Sequence, residues 1–176
     1  KESVAFYIKE HDITDRLDEA KLRGIGLEPS PLYGQLKRGE SISFQGRALE
    51  PKAFMLEPVI GRSLIIAGDN SIPAVLGSYL DGLDLLVHEC TYTQEVYDNL
   101  VKKVLHTTAK ELGITAQKHG VKNLIANHID PRYNKNGTLG VEMIYNEIKN
   151  SYEGVLFVAD DFDAYYLGRG GVVEKL

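Results

Sequence analysis

The chain has 176 residues, 43% of them hydrophobic and 26% charged, the mixture of an ordinary globular domain and not of a disordered, collagen-like or membrane-spanning chain. Twenty basic against 25 acidic side chains leave a net charge of −5, so contact with RNA would have to rest on local basic positions or metal ions, not on bulk positive charge. A single cysteine, Cys90, excludes an intrachain disulfide and points to a reducing compartment, expected to be the cytoplasm.

Residues 1–60 are polar and broken. Val4–Ile8 reads as a short strand, and Leu17–Leu22 as one or two helical turns before Gly24. The stretch from Gly26 to Glu40 is rich in Gly and Pro and reads as a loop. Ile42–Leu49 reads as a further strand, cut off by Pro51. So few apolar residues imply an arm or edge extension, not an independent domain.

From residue 61 onward, apolar runs alternate with helical patterns, which predicts an α/β fold. The strands are Leu64–Ala67, Leu85–Val87, Leu124–Ala126 and Val155–Ala159. Ser71 and Pro73 fit a helix start. Val96, Tyr97, Leu100, Val101 and Val104 fall at helical spacing, as do Val141, Ile144, Tyr145 and Ile148. Thr108 and Glu111 form a capping box that opens a helix ending near Gly120. Ala164–Leu167 and Gly168–Val173 predict a closing hairpin.

Each strand ends on a polar residue: Asp69 after the first, His88–Glu89 after the second, Asn127–His128 after the third and Asp160–Asp161 after the fourth. Ligands of α/β folds sit beyond the carboxyl ends of the strands. With His106 nearby, this rim holds the material of a metal site or of general acid–base chemistry. The same residues also fit turn-forming aspartates and hydrogen-bonded structural histidines, and Cys90 fits a small buried side chain.

The order Gly68-Asp69-Asn70, His88-Glu89-Cys90-Thr91, His106-Thr107-Thr108-Ala109 and Asn127-His128-Ile129-Asp130-Pro131-Arg132-Tyr133, with Ser30–Glu40 (SPLYGQLKRGE) upstream, resembles ribonuclease Z. That family of tRNA 3′-processing endonucleases belongs to the metallo-β-lactamase superfamily. The resemblance covers nearly the whole chain. It implies the C-terminal half of an αββα sandwich with a protruding exosite arm, divided into residues 1–56 (arm and connecting strands) and 57–176 (half of the catalytic domain).

The resemblance also implies roles. Asp69 matches the carboxylate that bridges two metal ions, usually zinc, and His128 a ligand of the second ion; one oxygen per cation holds two ions about 3.5–4 Å apart. His106 matches the histidine that protonates the leaving 3′ oxygen, and Glu89 the glutamate that orients it. Arg132 matches a phosphate contact, and Lys37 and Tyr33 fall in the arm that grips tRNA. The implied partner is precursor tRNA, with no membrane involved, and a homodimer is expected.

Four substitutions depart from the family pattern. Asn70 stands for Thr, Cys90 for Ala or Ser with its sulfur expected near the metals, and Ser30 for Gly. Asp130 stands for Ser, adding negative charge where phosphate is expected to pass. A larger departure is the absence of any His-x-His: the five histidines are His11, His88, His106, His119 and His128, so the family's H-x-H-x-D-H ligands are missing. Together with Lys1 in place of Met, this leads to the expectation of a fragment, inactive alone, that needs a missing N-terminal half or a second copy to cover an apolar sheet face. Other readings of the residues are a tRNA-binding module without catalysis and a related metallohydrolase acting on another phosphodiester.

Overall fold

The computed structural model describes residues 3–133 and 139–176; Lys1 lies outside them. In chain order the elements are β1 (Ala5–Lys9), α1 (Glu19–Gly24), α2 (Pro31–Lys37), β2 (Ile42–Phe44), β3 (Arg47–Leu49), β4 (Ser63–Ala67) and β5 (Leu85–Glu89). They continue with α3 (Gln94–Asp98), α4 (Ala109–Lys118), β6 (Asn123–Asn127), α5 (Glu142–Lys149), β7 (Val155–Val158), β8 (Tyr165–Leu167) and β9 (Val173–Lys175). The chain divides into two compact units, one formed by Glu10–Gly61 and the other by the residues up to Lys9 together with Arg62–Leu176.

The larger unit is built on a five-stranded sheet in the order β1-β4-β5-β6-β7. β4 to β7 run parallel, and β1 pairs antiparallel with β4. The first strand is thus the antiparallel edge of the sheet. Successive side chains point to opposite faces, so the parallel strands feed two cores, one on each face of the sheet. On one face Ile65, Leu86, Leu124, Ala126 and Leu156 pack with Leu112 and Ala116 of α4 and Ile144 and Ile148 of α5. On the other, Leu85, Ile125 and Phe157 pack with Tyr165, Leu167 and Val173 of the β8–β9 hairpin. Phe6, Ile8 and Ile66 remain exposed; Phe6 pairs directly across from Ile66.

Local chemistry explains the helices. The Thr108 hydroxyl accepts the Glu111 N–H at 3.3 Å and starts α4, and Gly120, at φ +63°, lets the chain leave it. One carboxylate oxygen, Oε2 of Glu147 on α5, accepts the N–H of Gln94 (2.9 Å) and of Lys110 (3.1 Å), so it fastens the starts of α3 and α4 together. Two expected helices are shorter than predicted. The pattern through Val104 yields only α3, and Val101 is fully exposed: Leu100 and Val104 pack on the core without a continuous helix. After Ser71 the chain forms 3-10 turns over Pro73–Leu80, broken at Gly77, whose φ of 56° and ψ of −139° are not helical.

At the amino edge of the parallel strands a polar cluster closes on itself. Asp84 accepts from the Ser63 N–H (2.8 Å) and from the Lys122 ammonium (2.6 Å), while the Asn123 amide donates to the carbonyls of Asp84 and Gly171 (2.6 Å each). Burial alone pushes the Asp84 carboxyl up, but Lys122 and Ser63 outweigh it and hold it below the usual carboxylate range.

The Glu10–Gly61 unit has a core of its own, formed by Leu17, Leu22, Leu27, Tyr33, Leu36, Ile42 and Phe54. The predicted loop at 26–40 contains α2: extended Ser30 leads into Pro31 at the first helical position, and Tyr33 and Leu36, three apart, turn inward. The predicted strand at 42–49 is a hairpin. Gln45 (φ 51°) and Gly46 (φ 73°) form a two-residue turn, and Ile42 pairs with Leu49.

Candidate metal and acid–base site

The carboxyl edge of the parallel sheet brings four chain segments together. β5 ends at Glu89, opposite Asn127 at the end of β6. The Cys90 N–H then donates to the Asn127 carbonyl (2.8 Å), Thr91 N–H to Thr107 carbonyl (3.1 Å) and Asp130 N–H to Thr91 carbonyl (3.2 Å). The segment after β4 joins through Asn70, whose N–H donates to Glu89 Oε1 at 2.9 Å and whose carbonyl accepts the Thr107 hydroxyl.

Glu89 is the hub. It is 1% exposed, and its two oxygens accept from the Asn70 N–H, the Thr91 hydroxyl (2.7 Å) and His106 Nδ1 (3.2 and 3.1 Å). A buried carboxylate this well supplied with donors is satisfied by the chain itself and orients its imidazole neighbour. His106 stacks on His128, with ring centroids 5.0 Å apart and planes 27° from parallel. It also meets the Tyr92 ring edge-on at 6.5 Å.

His128 sits at φ 54°, in the left-handed region, which costs a non-glycine residue about 1 kcal/mol or more and re-aims its side chain off the line of β6. Its Nε2 lies 3.7 Å from Asp69 Oδ1, and both side chains are about half exposed. That is too far for a hydrogen bond. Two donors on one tetrahedral cation, at roughly 2.0–2.2 Å each, stand about 3.4 Å apart. Asp69 and His128 therefore fit two positions of a divalent-cation site and leave its others to further ligands. Donor atoms of Glu89, His106 and His128 also lie within 4.8 Å of one another. Because Glu89 is already engaged, the Asp69–His128 pair is the better ligand set.

The other expected residues divide. Arg132 Nε donates to Asp130 Oδ1 at 2.8 Å, and its guanidinium lies over the Tyr92 ring at 5.5 Å. Asp130, expected to repel phosphate, instead holds Arg132. Burial pushes its carboxyl up, but the Arg132 N–H and guanidinium outweigh that and leave it low. Cys90 is fully buried within the helix-side core, where burial pushes its thiol well up, so its sulfur packs in the interior and not at the rim. Lys37 is exposed at the end of α2. Tyr33, expected to touch RNA, is a core residue of its unit, with its hydroxyl donating to the Leu27 carbonyl at 2.9 Å. Asp160 and Asp161 stay in an exposed turn.

Sequence reasoning gave three residues no role of their own. His88 is fully buried, and burial holds it below the usual imidazole range. Its Nδ1 meets the Glu89 carbonyl (2.8 Å) and its Nε2 the Asn70 amide (3.3 Å), so it braces the segment after β4. Tyr92 supports both His106 and Arg132. Thr91 bonds Glu89; its spacing of two from Glu89 in extended chain, which places both on one side, was the available signal.

A parallel α/β sheet that gathers imidazoles and carboxylates beyond its carboxyl edge defines an α/β protein of the ligand-binding kind, with the makings of a metal site. By sequence, the chain is a relative of proteins named ribonuclease Z. It is 33% identical over 174 residues to that of Pseudomonas putida, which covers 98% of this chain and 54% of that protein. To the ribonuclease Z of Archaeoglobus fulgidus it is 32% identical over 161 residues, 91% of this chain and 51% of that protein. The chain thus spans about half the length of the curated relatives it matches. No family model matches it. Among solved structures it is similar to the metallo-beta-lactamase fold protein YhfI from Bacillus subtilis, at TM-score 0.45 and 19% identity over 65% of this chain and 40% of that one. None of the helices is long and apolar enough to cross a membrane, among the described residues.

Proposed function

We propose that the chain supplies one half of a zinc-dependent endoribonuclease of the cytoplasm that removes the 3′ trailer from precursor tRNA. The observation that carries this reading is the cluster at the carboxyl edge: Asp69 and His128 converge beside a His106–Glu89 pair in a relative of ribonuclease Z. Asp69 and His128 would hold the cation, which supplies polarisation of a phosphate oxygen and a more acidic water. The other steps belong to the chain's own groups. Protonated His106 donates its Nε2 proton to the leaving 3′ oxygen, while Glu89 holds Nδ1 and stabilises the imidazolium. Arg132, fixed between Asp130 and Tyr92, neutralises phosphate charge. Lys37, exposed on the smaller unit, is a tRNA contact of that unit by itself.

Two donors are not a complete catalytic site, which takes three or more protein ligands per zinc. The remaining ligands come from an N-terminal half lacking here, and the exposed Phe6, Ile8 and Ile66 supply apolar surface for it or for a second copy in a homodimer. The test is complementation. Mixed with the N-terminal half of a ribonuclease Z relative and zinc, the chain should release trailer from precursor tRNA, and Asp69→Ala or His128→Ala should abolish release. Release by the chain alone overturns the missing-ligand reading; binding of tRNA with no release in any mixture favours a binding module.

A further inference from the structure

Thr91 is 4% exposed and has one hydroxyl hydrogen to place. Its Oγ1 lies 2.7 Å from Glu89 Oε2, 3.1 Å from His128 Nδ1 and 3.1 Å from the His128 carbonyl oxygen. A hydroxyl donates once and accepts through its lone pairs. The shortest contact is to a carboxylate, where a charge-assisted hydrogen bond is strongest, so the hydrogen goes to Glu89. His128 Nδ1 then faces a hydroxyl lone pair and must carry a hydrogen itself. In a neutral imidazole that leaves the lone pair on Nε2, the atom that faces Asp69 Oδ1 at 3.7 Å.

We propose that Thr91 is a positioning residue: it relays the charge of Glu89 to His128 and fixes the Nδ1–H form of that imidazole, whose Nε2 lone pair then converges with the Asp69 carboxylate on a cation. Glu89 accordingly sets both stacked rings, His106 by direct contact and His128 through Thr91. Glu89 does not hydrogen-bond His128 directly, because its oxygen stands 4.0 Å from Nδ1. A ligating histidine whose second nitrogen donates to a carboxylate or its equivalent is a recurrent support for metal binding. Here the intermediate hydroxyl is provided by the residue two beyond the carboxylate. The cation half of the proposal rests on the reading of Asp69 and His128 given above; the proton half does not.

The test separates the two. Nitrogen–proton correlation spectra of the imidazole rings, taken on the metal-free 176-residue chain at a pH where the rings are neutral, report the tautomer directly. The wild type should show the Nδ1–H form for His128. Thr91→Val, which keeps the shape and removes the hydroxyl, should shift His128 toward the Nε2–H form that free imidazoles favour in water, with the amide spectrum otherwise retained. Thr91→Ser should restore the wild-type pattern, which a merely space-filling role would not require. In a zinc titration of the same proteins, Thr91→Val should weaken binding about 10-fold or more, the usual scale for losing such a support, and Thr91→Ser should not. An Nε2–H form in the wild type, or no change in tautomer in folded Thr91→Val, overturns the relay. If Thr91→Val does not fold, the wild-type and Thr91→Ser spectra decide the matter. The expected tautomers with no effect of Asp69→Ala or His128→Ala on zinc binding once the N-terminal half is supplied would support the relay and overturn the cation reading.

Discussion

The two edges of the parallel sheet treat polar groups in opposite ways. At the amino edge, Asp84, Ser63, Lys122 and Asn123 satisfy one another, and charge is used up in holding strands and hairpin together. At the carboxyl edge buried Glu89 and Thr91, joined by half-buried Asn70, are equally well satisfied, but above them Asp69 Oδ1 and His128 Nε2 face each other across 3.7 Å with no hydrogen bond between them. A closed polar cluster contributes to stability. An open one resting on a closed layer keeps its acceptors available, and this division between support and opening is what marks a site.

The contrast makes graded predictions. The largest effect should come from His106→Ala in the protein completed by an N-terminal half. Trailer release should fall by about 10²–10⁴-fold while tRNA binding stays near wild type, because a general acid acts in the transition state. Unchanged release would remove catalysis from this edge. Next, Asp84→Ala should lower the free energy of unfolding by about 1–2 kcal/mol in urea denaturation, chiefly by stranding the Ser63 N–H, with little added by the exposed Lys122, and should leave zinc affinity unchanged. A parallel loss of zinc affinity would mean that the two edges are coupled.

The pH dependence sharpens the same point. The Asp84 carboxyl lies below its unfolded value, so its stabilising effect is present above the unfolded carboxylate range, near pH 4, and is lost as pH falls through the folded value. Asp84→Asn should therefore flatten the acid limb of a stability–pH curve; an unchanged limb would place the acid sensitivity elsewhere. The smallest effect is expected in the other unit. Tyr33→Phe removes one buried hydrogen bond to Leu27 and should cost about 1 kcal/mol without altering RNA affinity. A selective loss of RNA binding would restore Tyr33 to the interface.

The parallel strands, the helix start capped by Thr108 and the final hairpin were legible in the sequence because apolar runs and cap residues act locally. Asp69, Glu89 and His128 were legible for the same reason: each stands at or just beyond the end of a strand, and parallel strands end on one edge. What escaped depended on distant partners. The spacing of Leu100 and Val104 is equally compatible with a helix and with a loop pressed onto the core, and only the core decides. Nothing in the order Asp130-Pro131-Arg132 shows that the carboxylate turns back onto the guanidinium. The Gly- and Pro-rich texture of 26–40 concealed α2, where Pro31 starts a helix. Tyr33 was placed in the tRNA-gripping arm by the resemblance, and nothing local shows that it enters the core of its own unit.

The carboxylate of Glu147 has a consequence beyond the helices it joins. It ties α5 to the first residues of α3 and α4, and these helix starts directly follow Thr91 and His106 in the chain. A Glu147→Leu exchange would free two N–H groups behind the rim and let the segments before them drift. Imidazoles that owe their aim to fractions of an ångström would then lose it through a residue that never meets a substrate, so tolerance to mutation should be poorer on this side of α5 than its distance from the chemistry implies.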